Sequence, residues 1–284
     1  MKAGTTCAKR MSRALWTACA ALLIAAPGAL AGGVSGWLVP CLGDGCRDQP
    51  QTSFYVSFRA APGERNELRM LRRSNGVRIV DAGAGIETGE FCTAITPHDV
   101  RCAPPYDPDG LPPAALGRVN AFTGDGSDVA FASTGNVHLG RGRDVGSAAG
   151  PGGSVGGGPG DDELRGWGDG SLLFGGAGRD ELSGFRGYQL LLGGSGVDSI
   201  AGGRGGDLLN GEAGADVMAG GAGRDFLYGG AGRDVIYGGA GDDRIRASDL
   251  DRDTVRCGPG NDHAFISSRD RVFECERVTY SSDR

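Results

Sequence analysis

The chain has 284 residues, 55 of them glycine, and a formal net charge of −6 at pH 7. An acidic balance of this kind suits cation binding. It argues against nucleic acid or an anionic membrane as an electrostatic partner.

The first 31 residues have the pattern of a secretory signal peptide. Lysines and arginines within the first 13 positions precede an apolar run over residues 14–26, and Ala29-Leu30-Ala31 offers an A-x-A cleavage site. An uncleaved anchor is the alternative, although the run is short and interrupted by Pro27 and Gly28. Cleavage removes four basic residues and no acidic one, so the net charge changes from −6 to −10. With no second apolar segment, we predict a secreted protein, extracellular or at the cell surface, without an integral membrane span.

Six of the eight cysteines remain after residue 31. An even number in a secreted chain favours disulfides. Proximity in sequence suggests three pairs: Cys41–Cys46, Cys92–Cys102 and Cys257–Cys275. Six cysteines permit fifteen connectivities, so spacing alone selects none of them. Metal-binding thiols are the alternative for the last pair.

A small β-rich region is predicted at 53–118, after a short cysteine-containing lead-in at 32–52. Apolar residues alternate in short runs, as at Phe54, Val56 and Phe58, and glycine, proline or asparagine bounds each run. No convincing amphipathic helix is visible in this region. We therefore expect short strands here.

Weaker turn motifs follow at 119–146, as GDGSDVAF with Asp128 and GRGRDVG with Asp144. Each aspartate is either an outlying member of the repeats downstream or a solvated turn carboxylate. Residues 147–156 are glycine-rich and are predicted to form a flexible linker or loop. Their segment GGSVG satisfies the hydrolase pattern G-x-S-x-G, but no strand is predicted before it and no helix after it, so we attribute the match to chance.

A nine-residue motif repeats ten times without a gap from Gly157 to Arg246, and the sixth residue is aspartate in eight repeats. The clearest run is GGAGRDFLY, GGAGRDVIY and GGAGDDRIR over 220–246. Glycine adopts the positive φ of tight turns, while the Asp-x-aliphatic half alternates outward and inward as a strand does. Each repeat is therefore predicted to form a turn and a short strand, and two repeats complete one coil of a solenoid.

Aspartates eighteen residues apart then lie on neighbouring coils, roughly 4.8 Å from each other. Calcium takes six to eight oxygens, so one ion can lie between two such carboxylates and take its other oxygens from the turn carbonyls. The alternatives are a flexible low-complexity tract and a solenoid whose aspartates only solvate the turns. The strict period, with an aliphatic at the eighth position, disfavours both.

The pattern GGxGxDxUx resembles the hemolysin-type (RTX) calcium-binding nonapeptide, whose family fold is a parallel β-roll. The resemblance implies an all-β fold, with a parallel β-roll (β-solenoid) over 157–246 after the small β-rich region. It places calcium carboxylates on one side at Asp162, Asp180, Asp198, Asp216 and Asp234, and on the other at Asp207, Asp225 and Asp243. The turn glycines that we assign to these sites are Gly176, Gly178, Gly194, Gly196, Gly203, Gly205, Gly221, Gly223, Gly230, Gly232, Gly239 and Gly241. Parts of the region before the repeats, GERNELRM and VRIVDAGAGIETGEFC, also resemble the lead-in of secreted actinobacterial RTX-like proteins.

The second side of the predicted roll has a gap. Ser171 and Gln189 occupy the aspartate position there, and their repeats also lose glycines, so weak or absent calcium binding is expected. Leu173 and Leu191 keep the core position, so the coils should persist. Residues 247–284 are predicted to continue the roll as degenerate terminal coils, closed by a Cys257–Cys275 disulfide. They add three open calcium candidates: Asp253, Asp262 and Asp270.

The sequence thus predicts a secreted protein with calcium as its cofactor, in which metal binding is coupled to folding. No catalytic constellation is visible, because there is no HExxH motif and the three histidines are scattered. One alternative is a calcium-stiffened surface adhesion or structural protein. Another is the RTX appendage of a small extracellular hydrolase.

Overall fold

The computed structural model describes residues 33–40, 52–60, 65–73, 76–81, 87–88, 92–96, 99–102, 115–133, 135–149 and 152–281. The predicted signal peptide and the pair Cys41–Cys46 lie outside these residues. Within them every regular element is a β-strand, which confirms the predicted all-β class. No helix in these ranges has the length and hydropathy needed to cross a membrane.

Two sheets contain all the strands of the described chain. The first sheet contains β1 (Gly33–Pro40), β2 (Thr52–Arg59), β5 (Glu87–Thr88), β8 (Ala115–Phe122), β10 (Asn136–His138), β12 (Ser154–Pro159), β14 (Ser171–Gly178), β16 (Gln189–Gly196), β18 (Leu208–Gly214), β20 (Phe226–Ala231), β22 (Arg244–Ala247), β24 (His263–Ile266) and β26 (Arg277–Tyr280). The second contains β3 (Glu67–Arg73), β4 (Gly76–Asp81), β6 (Cys92–Thr96), β7 (Asp99–Cys102), β9 (Val129–Ala132), β11 (Val145–Ala148), β13 (Glu163–Gly166), β15 (Glu181–Gly184), β17 (Ser199–Arg204), β19 (Val217–Ala222), β21 (Val235–Ala240), β23 (Thr254–Arg256) and β25 (Arg271–Phe273).

From β8 onward successive strands alternate between the two sheets, and every pair within a sheet is parallel. In the regular repeats each residue pairs with the residue eighteen positions later, as Leu173 does with Leu191. Leu209 and Leu227 continue the same file. Two nonapeptides therefore make one coil of a parallel β-solenoid, as predicted.

The core is a stack of aliphatic side chains from the eighth position of each repeat. These residues alternate between the sheets and are at most 1% exposed: Leu164, Leu173, Leu182, Leu191, Ile200, Leu209, Met218, Leu227, Ile236 and Ile245. Burying one such side chain contributes about 1.5–3 kcal/mol. Each coil buries only two of them, so one coil cannot form a core alone and depends on its neighbours.

The region before the repeats extends the same two sheets. Strand β2 pairs in parallel with β8, and β3 pairs in parallel with β9. Beyond these strands the pairing is antiparallel in β1–β2, β3–β4, β4–β7 and β6–β7, and the short β5 pairs in parallel with β1. The antiparallel strands cover the first edge of the roll. Cys92 lies opposite Cys102 in the β6–β7 register, and a disulfide between them stays a prediction.

The prediction of a flexible linker or loop at 147–156 is wrong for the residues that the structure describes there. Ala148 ends β11, and Ser154 begins β12, which pairs with β10 and β14. The reason is Val155, which is fully buried and occupies a core position that the surrounding glycines hid in the sequence. The segment GGSVG is thus part of a coil rather than a nucleophile turn.

The terminal coils continue to the end of the described chain. Strands β23 and β25 extend the second sheet, while β24 and β26 extend the first. Cys257 and Cys275 form a disulfide, as predicted, with their Cα atoms 5.1 Å apart. The disulfide joins the last coils next to β26, whose four residues are all exposed.

Glu212 is a strained residue within the regular repeats. It stands where most repeats have their second glycine, and it has a φ of 72°. Glu212→Gly should raise the free energy of unfolding of the calcium-loaded protein by about 1 kcal/mol, because glycine has no steric penalty at positive φ. Thermal unfolding measures this. Glu181→Gly, at an exposed position in β15, is the matched control and should lower stability; a loss in both variants would contradict the explanation.

Candidate metal centre

Buried aspartates join successive coils along one side of the roll. The backbone N–H of each donates to Oδ1 of the aspartate in the next coil, at N···O distances between 2.7 Å (Asp128 to Asp144) and 3.0 Å (Asp216 to Asp234). We call this file the first ladder: Asp128, Asp144, Asp162, Asp180, Asp198, Asp216, Asp234, Asp253 and Asp270. The five aspartates assigned to one side from the sequence all lie in it.

A second ladder joins the coils on the other side. Gln189 N–H donates to Asp207 Oδ1, and the same contact links Asp207, Asp225, Asp243 and Asp262 in turn. Asp262 N–H then donates to Glu276 Oε2 at 2.8 Å. The three aspartates predicted for this side are therefore together, and the ladder of carboxylates begins only at Asp207.

The other carboxylate oxygen of nearly every ladder aspartate is buried without a hydrogen-bond partner. These residues are at most 2% exposed. The unpartnered Oδ2 atoms belong to Asp128, Asp144, Asp162, Asp180, Asp198, Asp207, Asp216, Asp225, Asp234, Asp243, Asp253 and Asp262. An unsatisfied buried polar atom costs about 1–3 kcal/mol, and more when it is charged. Twelve such oxygens in one fold indicate that the ladders accommodate a cation.

Turn oxygens and the orphaned carboxylate oxygens converge at the first glycine of each repeat. A Cβ on Gly193 would lie 2.6 Å from Asp198 Oδ2 and 2.9 Å from the carbonyl oxygen of Gly211 in the next coil. The equivalent distances at Gly211, to Asp216 Oδ2 and the Gly229 carbonyl oxygen, are both 2.4 Å. Glycine is therefore required here because the oxygens occupy the place of a side chain.

The second and fourth glycines have a different role. Gly194 and Gly196 have φ values of 115° and 134°, which L side chains rarely adopt. A Cβ on either would also meet the carbonyl oxygen of the equivalent glycine one coil earlier, at 2.0 and 1.7 Å. The turns thus stack peptide carbonyls beside the carboxylate ladders, and side chains are excluded from that space.

Burial raises the pKa of the ladder aspartates from Asp144 to Asp262 above their usual range. Desolvation raises the pKa of Asp216 to about 7, reinforced by the neighbouring carboxylates of Asp198 and Asp234 and opposed by the Asp198 N–H bond. The pKa values of Asp162 and Asp243 are also raised to about 7, and that of Asp207 to about 6, with desolvation the largest cause in each. Without a counter-ion, folding therefore makes these aspartates harder to ionise.

The donor set fits calcium. In the described ranges no group of three or more His, Cys, Asp or Glu side chains could enclose a metal, so side chains alone do not form a site here. A cation between coils would need peptide carbonyls beside two aspartates, and the turns place such carbonyls there. Carboxylate and carbonyl oxygens are ligands that calcium accepts in a flexible arrangement of six to eight.

The ladders also show where the aspartates lie whose calcium role the sequence left open. Asp128 and Asp144 are buried ladder members rather than solvated turn carboxylates, and Asp253 and Asp262 extend the ladders downstream. Asp270 differs, because its Oδ2 accepts the Ser267 N–H at 2.6 Å and its Oδ1 accepts the Asp253 N–H. Both of its oxygens are therefore satisfied.

Glu276 is a ladder residue that the sequence did not indicate. It follows Asp262 after fourteen residues instead of eighteen, and the nine-residue pattern is lost around it. The sequence feature that could have indicated Glu276 is its type: it is an acidic residue with a longer side chain, placed after the last recognisable aspartate.

Comparison with known protein families identifies part of the array. A family model described as RTX calcium-binding nonapeptide repeat (4 copies) matches residues 192–227, 220–251 and 228–264. These matches include the ladder aspartates from Asp198 to Asp262. No curated protein and no solved structure matches the chain.

The raised pKa values predict an unusual pH dependence of stability for the metal-free protein, prepared with a chelator. A carboxyl whose folded pKa is raised contributes stability below its unfolded pKa of about 4, and this stability is lost as the pH rises through the folded pKa. The metal-free roll should therefore lose stability between about pH 4 and pH 7. Far-ultraviolet circular dichroism during denaturation in chelator measures this. Asp216→Asn should flatten the dependence, and a metal-free stability that rises with pH in this range would contradict it.

Proposed function

We propose that the chain, whose residues 192–264 match the RTX calcium-binding nonapeptide repeat, is a secreted calcium-binding protein whose β-roll is completed by ions held between successive coils. The observation that carries this proposal is the set of twelve buried Oδ2 atoms without hydrogen-bond partners. They recur at every regular coil and lie next to turn carbonyls. A metal cation satisfies such oxygens without a proton or a donor side chain.

The eight aspartates assigned from the sequence would supply the carboxylate ligands. They are Asp162, Asp180, Asp198, Asp216 and Asp234 in the first ladder, and Asp207, Asp225 and Asp243 in the second. Glycine turns such as 194–196 and 221–223 would supply peptide carbonyls. Asp128, Asp144, Asp253 and Asp262 have the same burial and the same orphaned Oδ2, so we include them. We leave out Asp270, whose oxygens are both occupied.

Bound calcium would supply positive charge along each ladder. Without it, aspartates on neighbouring coils bury like charges close together, which opposes the stacking of the coils. The turns oppose folding as well, because glycine loses more backbone entropy on ordering than any other residue. Each ladder aspartate accepts a backbone N–H of the preceding coil with its Oδ1. A cation bound at Oδ2 neutralises the same carboxylate and so stabilises the contact between the two coils. Metal binding is thereby coupled to ordering of the roll.

An oxidising, extracellular location agrees with two features of the chain. The Cys257–Cys275 disulfide closes the terminal coils, and disulfides persist outside the cytosol. The first 31 residues have the charge and hydropathy pattern of a signal peptide. We therefore propose secretion, with the calcium sites assembled where free calcium is abundant.

Adjacent residues of β15 and its turn allow a matched test of the calcium sites. Asp180 is buried in the first ladder, whereas Glu181, the first residue of β15, is exposed. Asp180→Asn should reduce the number of calcium ions bound and weaken affinity by about tenfold or more, because it removes the charge and leaves the shape. Glu181→Gln removes an equal charge and should leave both quantities unchanged. Isothermal titration calorimetry measures them, and equal effects of the two substitutions would contradict the site assignment.

A further inference from the structure

One corner of the roll is built differently from the others. It consists of residues 166–171 and 184–189, the second-side turns of two successive coils. Ser171 and Gln189 stand at the aspartate position and are both fully buried. The second glycine is replaced by Trp167 in one turn and by Phe185 in the other. The coils nevertheless stay in register, with Ser171 opposite Gln189 and Leu173 opposite Leu191.

The backbone of this corner also departs from the glycine turn. Positive φ values occur at Gly170 (75°), the fifth residue of its repeat, and at Gly187 (76°), the fourth, whereas the second residues, Trp167 and Phe185, have none. The rings of Trp167 and Phe185 stack with centroids 4.0 Å apart and planes at 11°. Asp169 Oδ1 accepts the Tyr188 N–H from the next coil at 2.8 Å. Side-chain contacts therefore join these two turns.

The Gln189 amide makes the central contacts. Its Nε2 donates to the carbonyl oxygen of Arg186 in its own turn at 2.7 Å and to that of Gly168 in the preceding coil at 2.8 Å. The Ser171 hydroxyl donates to the same Gly168 carbonyl at 2.8 Å. Gly168 and Arg186 are the third residues of their repeats, eighteen positions apart. One neutral side chain thus links equivalent carbonyls of successive coils.

The length of glutamine explains why it can do this. Its Oε1 is buried without a hydrogen-bond partner, like the Oδ2 atoms of the ladder aspartates, but it is placed differently. It lies 2.6 Å from the Cβ position of Gly166, in the preceding coil, whereas Asp198 Oδ2 lies 2.6 Å from that of Gly193, in its own repeat. The amide therefore reaches across the joint between the coils. The atom facing the two carbonyls must be the nitrogen, because an amide oxygen there would be repelled by both.

We propose that Gln189 takes the place of a calcium ion at this corner, so that these two coils are joined without metal. This inference rests on the proposed function, since it assumes that ions join the coils at the aspartate corners. Two N–H groups supply the partial positive charge that a cation supplies elsewhere. The array then contains one joint whose integrity does not depend on calcium, close to the start of the second ladder.

Gln189→Glu tests the proposal, because the proposal and its alternative predict opposite changes in Tm. If the amide closes the corner, the substitution replaces two donors by a carboxylate facing two carbonyl oxygens. The calcium-loaded protein should then keep its number of bound ions, and its Tm should fall by about 5–10 °C. If instead Gln189 is a calcium ligand through Oε1, the carboxylate should bind calcium more tightly. A gain in bound ions, or a Tm that is unchanged or raised, would overturn the proposal.

Two further variants keep the result interpretable. Gln189→Asn stays neutral but is one methylene too short to reach Gly168, so it should lower the Tm and leave the calcium count unchanged, even if Gln189→Glu does not fold. A lost ion in Gln189→Asn would overturn the proposal. Asp207→Asn, at the next position of the same side, should lower the count. If the wild-type protein binds no calcium at all, the proposed function itself fails, and the Gln189 inference fails with it.

Discussion

The roll depends on how buried aspartates join one coil to the next. Each ladder aspartate uses one carboxylate oxygen to accept a backbone N–H from the preceding coil, and this contact recurs from Asp128 to Asp270. The second oxygen of twelve of them has no hydrogen-bond partner, and burial raises the pKa of carboxyls such as that of Asp216. The interaction that positions the coils thus also concentrates negative charge between them. A cation that accepts oxygen ligands removes this conflict, and the glycine turns bring carbonyl oxygens to the same place.

The two halves of each repeat contribute to stability in different ways. The aliphatic stack from Leu164 to Ile245 is buried and needs no ligand, so it favours folding with or without calcium. The turn half opposes folding until its charges are neutralised, because it combines glycine with buried carboxylates. The balance between these halves makes order in the roll dependent on calcium. Gln189 shifts this balance locally, since its amide hydrogen bonds replace a charged joint by a neutral one.

Much of this structure follows from the period of the sequence. A nine-residue repeat with glycine, aspartate and aliphatic residues at fixed positions predicts the coil length and the core stack, and both are confirmed. It also predicts which aspartates share a side, and the hydrogen-bonded ladders group them in the same way. The linker prediction failed because the glycines around Val155 hid a coil. The sequence left Asp128 and Asp144 open, because their separation of sixteen positions falls outside the eighteen-residue period. The Gln189 contacts could not be predicted, because they depend on which carbonyls the altered turn of residues 184–189 presents to the side chain.

The most direct test is far-ultraviolet circular dichroism of residues 32–284 at neutral pH, in chelator and then during titration with calcium, with magnesium as the control ion. Calcium should produce a cooperative rise in β signal, because it neutralises the ladders along the whole array, and magnesium should not reproduce it. A β signal that is already complete in chelator at neutral pH, and that calcium does not change, would contradict the account.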